Sequence, residues 1–366
     1  MNATPPAGKG APQSARKGGG GSSLAQLRTL AQVVRDRQIR LLLSLSRKLV
    51  TPLYRAAFLS GAAGSGLLRA LGERPRDLRE VAAELGGTPD VHRLRVWLDV
   101  GVKLGELERR DGRYGLKSRL AKGLAEREND ALAGALQEVT HFHYPVLMEA
   151  PQMVRDDRYF SLSDQDGEII ARSSLIVRPF IEEAIARTLP RDRPVRLLEI
   201  GCGSGLYVRH AAALNPRLTA LAVDLQPEVA EQAAANMSDW GLSDRVQTRQ
   251  GDLRKLDLDE QFDLVTMHNN IYYFPEADRV EVLKQARSLV APGGRLLLTT
   301  SCQGGGPELE VLNLWFEYAD FGGALPYEHE LVAQLEEAGF ADVSASRIIP
   351  GEQFRAFTGT HAHAAH

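Results

Sequence analysis

From Val195 onward the sequence alternates short apolar runs with stretches of helical periodicity. This alternation constrains the fold more than any other feature. The runs are VRLLEI (195–200), LTALAVD (218–224), VQTRQGD (246–252), FDLVTMHN (262–269) and GRLLLTTS (294–301). Strand-length runs with few polar interruptions are buried on both faces, and the helical patterns linking them fit crossover connections. Together they predict a parallel sheet covered by helices, an α/β architecture. After a helix over Leu331–Phe340, ADVSASRII and QFRAFTGT are read as terminal strands, one of them antiparallel.

The first half of the chain has another character. Leu24, Leu27, Leu30 and Val34 recur at helical spacing in a segment running to Val50, where Thr51-Pro52 is expected to interrupt one helix and open the next. Gly61, Gly64 and Gly66 on that second helix suggest close packing against a neighbouring helix, conceivably one of a second subunit. Asp77-Leu78-Arg79-Glu80 is a capping box opening a short helix that ends at Gly86-Gly87. Thr88-Pro89 then caps the helix PDVHRLRVWLDVGVKLG. Asp111-Gly112 between Glu106–Arg110 and Arg113–Leu116 is a tight hairpin turn. Helix, turn, helix and two-stranded wing make a winged-helix unit. Arg93 and Arg95 invite a DNA-binding reading, but Val91, Leu94, Trp97 and Leu98 on the same helix indicate core packing. Residues 120–190 are mainly helical, with a polar loop over Asp156–Gly167 and helical periodicity over Ile169–Leu189.

Composition excludes several classes of function. Forty-four basic against 47 acidic residues give a net charge of −3, which argues against non-specific nucleic-acid binding by the whole molecule. The most apolar stretch, Ala56–Leu68, is too short and too glycine-rich to span a membrane, and Met1–Ser23 has no hydrophobic signal core. With two cysteines, Cys202 and Cys302, no disulfide framework is implied, and a cytoplasmic location is expected.

The motif that carries chemistry is Glu199-Ile200-Gly201-Cys202-Gly203-Ser204-Gly205, between a strand and a helix. A glycine-rich strand-to-helix turn lets the backbone approach a ligand closely. The third glycine comes one residue too early for the dinucleotide pattern G-x-G-x-x-G, which leaves that alternative the poorer match. Glu199 stands just ahead of the first glycine. Asp224 ends the second strand about 20 residues on, where a carboxylate can accept from both hydroxyls of a ribose. Gly251-Asp252-Leu253 ends the third strand, where a carboxylate can accept from an adenine amino group. Ala291-Pro292-Gly293-Gly294 precedes the fifth strand.

Over Val195 to about Thr360 these residues resemble the class I S-adenosylmethionine (SAM)-dependent methyltransferases. The winged helix ahead of them resembles that of the small-molecule O-methyltransferases of plants and bacterial natural-product pathways. The resemblance implies a Rossmann-like seven-stranded sheet, a SAM cofactor released as S-adenosylhomocysteine (SAH), a small-molecule acceptor, and a homodimer built by the N-terminal domain, with no nucleic-acid or membrane partner. It places Glu199, Gly201, Gly203 and Gly205 at the amino-acid end of the cofactor, Asp224 and Leu225 at the ribose, Asp252 and Leu253 at the adenine, and His268 and Asn269 at the methionyl part. From position and charge alone, Asp166, Gly167 and Arg172, just ahead of this domain, are expected at the cofactor carboxylate. The expected divisions are a disordered tail (1–22), a helical winged-helix dimerisation and lid domain (23–190), a SAM-binding domain (191–360) and a loose His-rich end (361–366).

Methyl transfer from a sulfonium needs alignment and exclusion of water, and a base where a hydroxyl must shed its proton. In the family a histidine follows the fourth strand. Here the segment reads His268-Asn269-Asn270-Ile271-Tyr272-Tyr273-Phe274, which puts Tyr272 in the histidine slot. The candidate catalytic residues are therefore His268, Tyr272 and the pair His141 and His143 in the linker helices. That pair admits structural packing, proton transfer or, lacking a clear third ligand, only a weak metal site; no metal is assigned. Trp315, Phe316 and neighbouring aromatics, flanked by Gly304–Gly306 and Gly322-Gly323, form either a lid or core. The displaced histidine also leaves open a non-methylating conversion on the same cofactor, and a DNA-binding regulator is the remaining alternative.

Overall fold

The computed structural model describes residue 29, residues 36–87 and residues 90–362. The tail over 1–22, most of the Leu24–Val34 pattern, the Thr88-Pro89 step and the last four residues lie outside these. The chain divides into two compact units, Met1–Ala57 and Phe58–His366.

In the first unit Asp36 caps a helix over Arg37–Leu45, its carboxylate accepting from the Gln38 amide at 2.7 Å. A π turn over Ser46–Val50 follows and passes directly into the helix Thr51–Gly64. The expected interruption at Thr51-Pro52 is therefore absent. A proline ring collides with the carbonyl four residues back and lacks an N–H. The π turn widens the helix just there, with the Thr51 amide donating to Ser46, five residues back.

In the second unit the capping box forms as expected, the Asp77 carboxylate accepting from the amides of Arg79 and Glu80 ahead of the helix Leu78–Glu84. The next helix, Val91–Lys103, is capped by Asp90, which accepts from the Arg93 amide, rather than by Thr88. Strands β1 (Leu107–Arg110) and β2 (Arg113–Leu116) close the hairpin through Asp111 and Gly112, both at positive φ. Leu94, Leu98, Leu107 and Tyr114 are buried in one cluster, while Arg93 and Arg95 are exposed. Of the glycines on the Thr51–Gly64 helix, Gly64 meets a close neighbour within this chain, while Gly61 is in ordinary van der Waals contact. A Cβ on Gly64 would lie 2.0 Å from Gln137 Nε2, and one on Gly61 3.9 Å from the Trp97 ring. Gly66 lies beyond the helix, in the left-handed region, and caps the next one.

The sheet is seven-stranded: β3 (Val195–Ile200), β4 (Leu218–Asp224), β5 (Val246–Gln250), β6 (Phe262–His268), β7 (Val290–Ser301), β8 (Ala341–Arg347) and β9 (Phe354–Thr360), in the order β5-β4-β3-β6-β7-β9-β8. Strands β3 to β7 are parallel, and β9 is the antiparallel member. Both faces are covered. Val195, Leu197, Ala220 and Ala222 face one apolar layer; Leu198, Ile200, Leu221 and Val223 face the other. In these central strands alternate side chains are apolar in both directions, so they read as nearly unbroken runs, whereas the edge strands β5 and β8 are largely exposed.

Two further helices position the site. Asp130–Glu138 packs on Gly167–Ser173 at Gly134, where a Cβ would stand 2.8 Å from Arg172 Cβ and 2.9 Å from the Ser173 nitrogen. Replacing a helical glycine by alanine ordinarily stabilises by about 1 kcal/mol. Here backbone blocks the added methyl, and Gly134→Ala is expected to destabilise by about 1–3 kcal/mol in urea unfolding. Unchanged or higher stability would show that the two helices can part without cost.

Candidate active site

The turn after β3 is held by backbone bonds. The amides of Gly201 and Cys202 both donate to the Val223 carbonyl, at 2.8 and 3.0 Å, and the Gly203 amide donates to Asp224 Oδ2 at 3.0 Å. Asp224 Oδ1 accepts from the Gln226 amide. Gly201, Gly203 and Gly205 all have positive φ. A side chain at Gly205 would strike Met237 at 2.2 Å and one at Gly201 would strike the Asn270 amide at 2.7 Å, whereas a Cβ on Gly203 meets nothing within 4 Å. The middle of the turn is thus open to a ligand. From β3 the chain moves to β4 on one side and later returns to β6 on the other. The carboxyl ends of β3 and β6 flank the crevice where open α/β sheets bind ligands.

Unpaired polar atoms gather there. Of seven buried side-chain polar atoms without a hydrogen-bond partner among the described residues, four are Glu199 Oε1, His268 Nε2, Asn269 Oδ1 and Asn270 Oδ1, all at or just beyond the ends of β3 and β6. A buried group without a partner costs stability, so such a cluster marks a place a ligand completes. Burial, reinforced by Asp224, pushes the Glu199 carboxyl well above the usual carboxylate range. Burial lowers the His268 imidazole to about 3; its Nδ1 lies 2.8 Å from Thr299 Oγ1. Asn270 donates to the Ile200 carbonyl at 2.6 Å, and Asn269 holds a left-handed backbone with φ of 53°. These acceptors suit the ammonium and hydroxyl donors of SAM. At the end of β5, Asp252 is paired with Arg254 through both carboxylate oxygens, at 2.8–3.1 Å, which keeps its carboxyl low. Leu253 is buried in the core, and Leu225 is exposed beside Asp224.

Beyond Asn269 lies a cavity of about 470 Å³. Phe142, Tyr272, Tyr273, Trp315 and Phe316 supply its aromatic wall, and Glu138, His143 and Gln165 line it from the helical segment. His143 Nε2 stands 3.7 Å from Glu138 Oε1 and makes no hydrogen bond. Burial lowers its imidazole below the ordinary value, while Glu138 works in the opposite direction. Both residues belong to or adjoin a second π turn, Val139–His143, again two residues ahead of a proline, Pro145, in a helix that continues. Pro151, further along the same helix, is accommodated without such a turn. Tyr273 donates weakly to Gln165 Oε1 at 3.4 Å and is pushed up to about 12 by burial.

Residues 198–296 match the family model described as a methyltransferase domain. The 3-hydroxy-5-methyl-1-naphthoate 3-O-methyltransferase of Streptomyces sahachiroi is 24% identical over 261 residues, covering 69% of this chain and 75% of that protein. Among solved structures, PigF with SAH superposes with a TM-score of 0.68 at 20% identity, over 87% of this chain and 98% of PigF. The mitomycin 7-O-methyltransferase MmcR gives 0.68 at 19% identity, over 91% and 100%. Fold, glycine turn and family match define a class I methyltransferase domain. The domain is SAM-dependent, and methyl transfer is its chemistry.

The structure separates the sequence-expected residues into groups. Glu199, the three glycines, Asp224, His268 and Asn269 come together around the turn. Tyr272 and His143 line the cavity. His141 does not: it is exposed, with Nδ1 2.9 Å from the Gln137 carbonyl of its own helix. Arg172 is also displaced from its expected role. Its guanidinium binds Asp130 at 2.9 and 3.0 Å and Gln137 Oε1 at 2.7 Å, tying the two helices that meet at Gly134. Trp315 and Phe316 are buried core as well as cavity wall. The Gly322-Gly323 step is no hinge: the Gly323 amide donates to the Tyr272 carbonyl, and a Cβ on Gly322 would strike that oxygen at 2.3 Å. Glu138 was missed. Its spacing of five from His143 places the two on different faces of an α-helix, and only the π turn brings them together. No group of three metal-ligating side chains occurs among the described residues.

Glu199→Gln tests the unpaired carboxyl. A carboxyl raised in the folded state favours folding below its unfolded value near 4.3 and loses that contribution as pH rises above it. The ligand-free variant is expected to melt higher than the parent at pH 8, with the gap narrowing towards pH 5. Its SAH affinity by calorimetry should fall by about tenfold or more, the loss of a charge-assisted bond. Undiminished SAH affinity would remove Glu199 from the ligand site.

Proposed function

We propose that the protein O-methylates a small aromatic acceptor seated in the 470 Å³ cavity, with His143 as base and Glu138 as its positioning residue. One observation carries this reading: the His143–Glu138 pair lines the same cavity into which Asn269 opens from the glycine turn. The names of the S. sahachiroi relative and of MmcR specify oxygen as their acceptor atom, which supports the same choice here.

When bound, SAM supplies a methyl group already activated on a sulfonium, so the protein's task is alignment and proton removal. In this reading Glu199 and the turn of Gly201, Gly203 and Gly205 hold the amino-acid end, Asp224 and Leu225 the ribose, Asp252 and Leu253 the adenine, and His268 and Asn269 the methionyl part. His268, lowered to about 3, is too weak a base for the proton and serves as a neutral polar wall. His143, neutral at pH 7, takes the acceptor hydroxyl proton on Nε2 as the oxygen acquires the methyl. Glu138 stabilises the imidazolium that results. Tyr272, raised by burial, stays protonated and donates to the acceptor. A base supplied from the helical segment replaces the histidine missing after β6, and with it the case for a non-methylating conversion weakens.

The same reading takes the protein as a homodimer. In the first unit Leu41, Leu42, Leu45, Leu49 and Leu53 are exposed along the helices. Among the described residues no helix is long and apolar enough to cross a membrane.

His143→Ala is expected to lower kcat about 100-fold or more with SAH affinity retained. Because the Glu138 charge raises the His143 imidazole, Glu138→Gln should move the acid limb of the kcat profile to lower pH and reduce the plateau rate. An unchanged plateau and an unmoved limb in both variants would exclude the pair from catalysis.

A further inference from the structure

We infer that the acceptor is a hydroxylated aromatic carrying a positive charge away from the reacting oxygen, an arene joined to an ammonium or comparable cation. This rests on the reading of the cavity as the acceptor site. Three carboxylates line that cavity, Glu138, Glu308 and Glu352, and no lysine or arginine does so among the described residues. The three come from separate elements: the helix leading into the second π turn, the first turn of the helix Pro307–Glu317, and the turn ahead of β9. Glu138 faces His143. Glu308 and Glu352 are exposed at the mouth and have no ion-pair partner among the described residues.

Nearby cations are already engaged. Arg355 pairs with Glu328 and bonds Gln353, and Arg172 is held by Asp130 and Gln137. An anionic acceptor would meet three like charges and no counter-charge. A cation would meet carboxylates at the mouth and an aromatic lining that includes Phe142 and Trp315 further in, a combination that suits ammonium groups. Tyr272 points independently to a ligand. The residue is only 9% exposed, its hydroxyl makes no hydrogen bond among the described residues, and it lines the cavity, where a ligand can reach it. The acceptor oxygen and the cation thus have separate stations, one beside Tyr272 and His143, the other between Glu308 and Glu352.

The test uses the full chain with SAH bound and three 2-naphthols of matched shape, bearing at C6 an aminoethyl, an acetamidoethyl or a carboxyethyl group. Dissociation constants are read by fluorescence titration at low salt. The aminoethyl compound is expected to bind about tenfold more tightly than the neutral one, with the carboxyethyl compound weakest. In the double variant Glu308→Gln, Glu352→Gln the ratio of aminoethyl to acetamidoethyl affinity should fall towards one, and in Glu308→Lys, Glu352→Lys the order should reverse. SAH affinity measured in each variant reports that the fold is intact. Equal affinities, a preference for the carboxylate, or a ratio unmoved in both double variants would overturn the inference. So would failure of all three probes to bind while SAH binds. Failure of SAH itself to bind the parent chain would instead sink the proposed function beneath it.

Discussion

The hydrogen bond from the Gly203 amide to the Asp224 carboxylate joins the two strands on which the site is built. With the paired bonds from Gly201 and Cys202 to Val223, it fixes the loop after β3 against the end of β4. That loop must turn sharply, stay clear of Asn270 and Met237, and leave its middle bare. Only glycine satisfies all three demands, because each position has positive φ and two of them also face a neighbour closer than a Cβ allows. The unpaired acidic and amide groups at the strand ends are arranged around this loop. Glu199 is the penultimate residue of the strand feeding it, and Asn270, two residues beyond β6, closes over it.

The helical segment contributes the other half of the site, and its placement depends on a few close approaches. Gly134 lets one helix rest on the backbone of the next, and Gly64 admits the Gln137 amide. Gln137 in turn bonds Arg172, which grips Asp130. These partly buried contacts run from the Thr51–Gly64 helix to the helix that ends at Glu138. Arg279, almost fully buried, does similar work on the opposite wall. It donates to the carbonyls of Phe274 and Ala324 and so pins the Tyr272 segment to the loop beyond the aromatic helix.

Legibility in the sequence followed the physics of each element. Strands β3, β4, β6 and β7 are readable because burial on both faces leaves few polar interruptions, whereas the edge strand β5 is mostly polar and exposed and is readable only from its place between helical patterns; the antiparallel member is β9. The capping box and the Asp111-Gly112 turn were readable because each demands particular residues at fixed positions. The glycine turn and Asp224 were readable for the same reason. Arg172 misled because position and charge say nothing about which partner a long side chain meets, and Asp130 lay 42 residues away. The Glu138–His143 approach was hidden more deeply. Helical periodicity assumes 3.6 residues per turn, and a local change of pitch alters which residues share a face. The only trace is a proline two residues downstream, an ambiguous sign, since a proline such as Pro52 equally suggests a helix break and Pro151 sits in its helix with no π turn at all.

A π turn is equivalent to one extra residue let into an α-helix, and everything beyond it is rotated by about 100° relative to an unbroken helix. In the Val139–His143 turn that rotation decides which histidine looks inward. Loss of a single codon there would restore ordinary pitch and cancel that rotation, so the side chains on either side would keep their facing and Glu138 and His143 would become neighbours four residues apart on one α-helical face. The turn therefore absorbs a surplus residue locally, and the lining beyond it keeps its place together with the apparatus that handles the methyl donor.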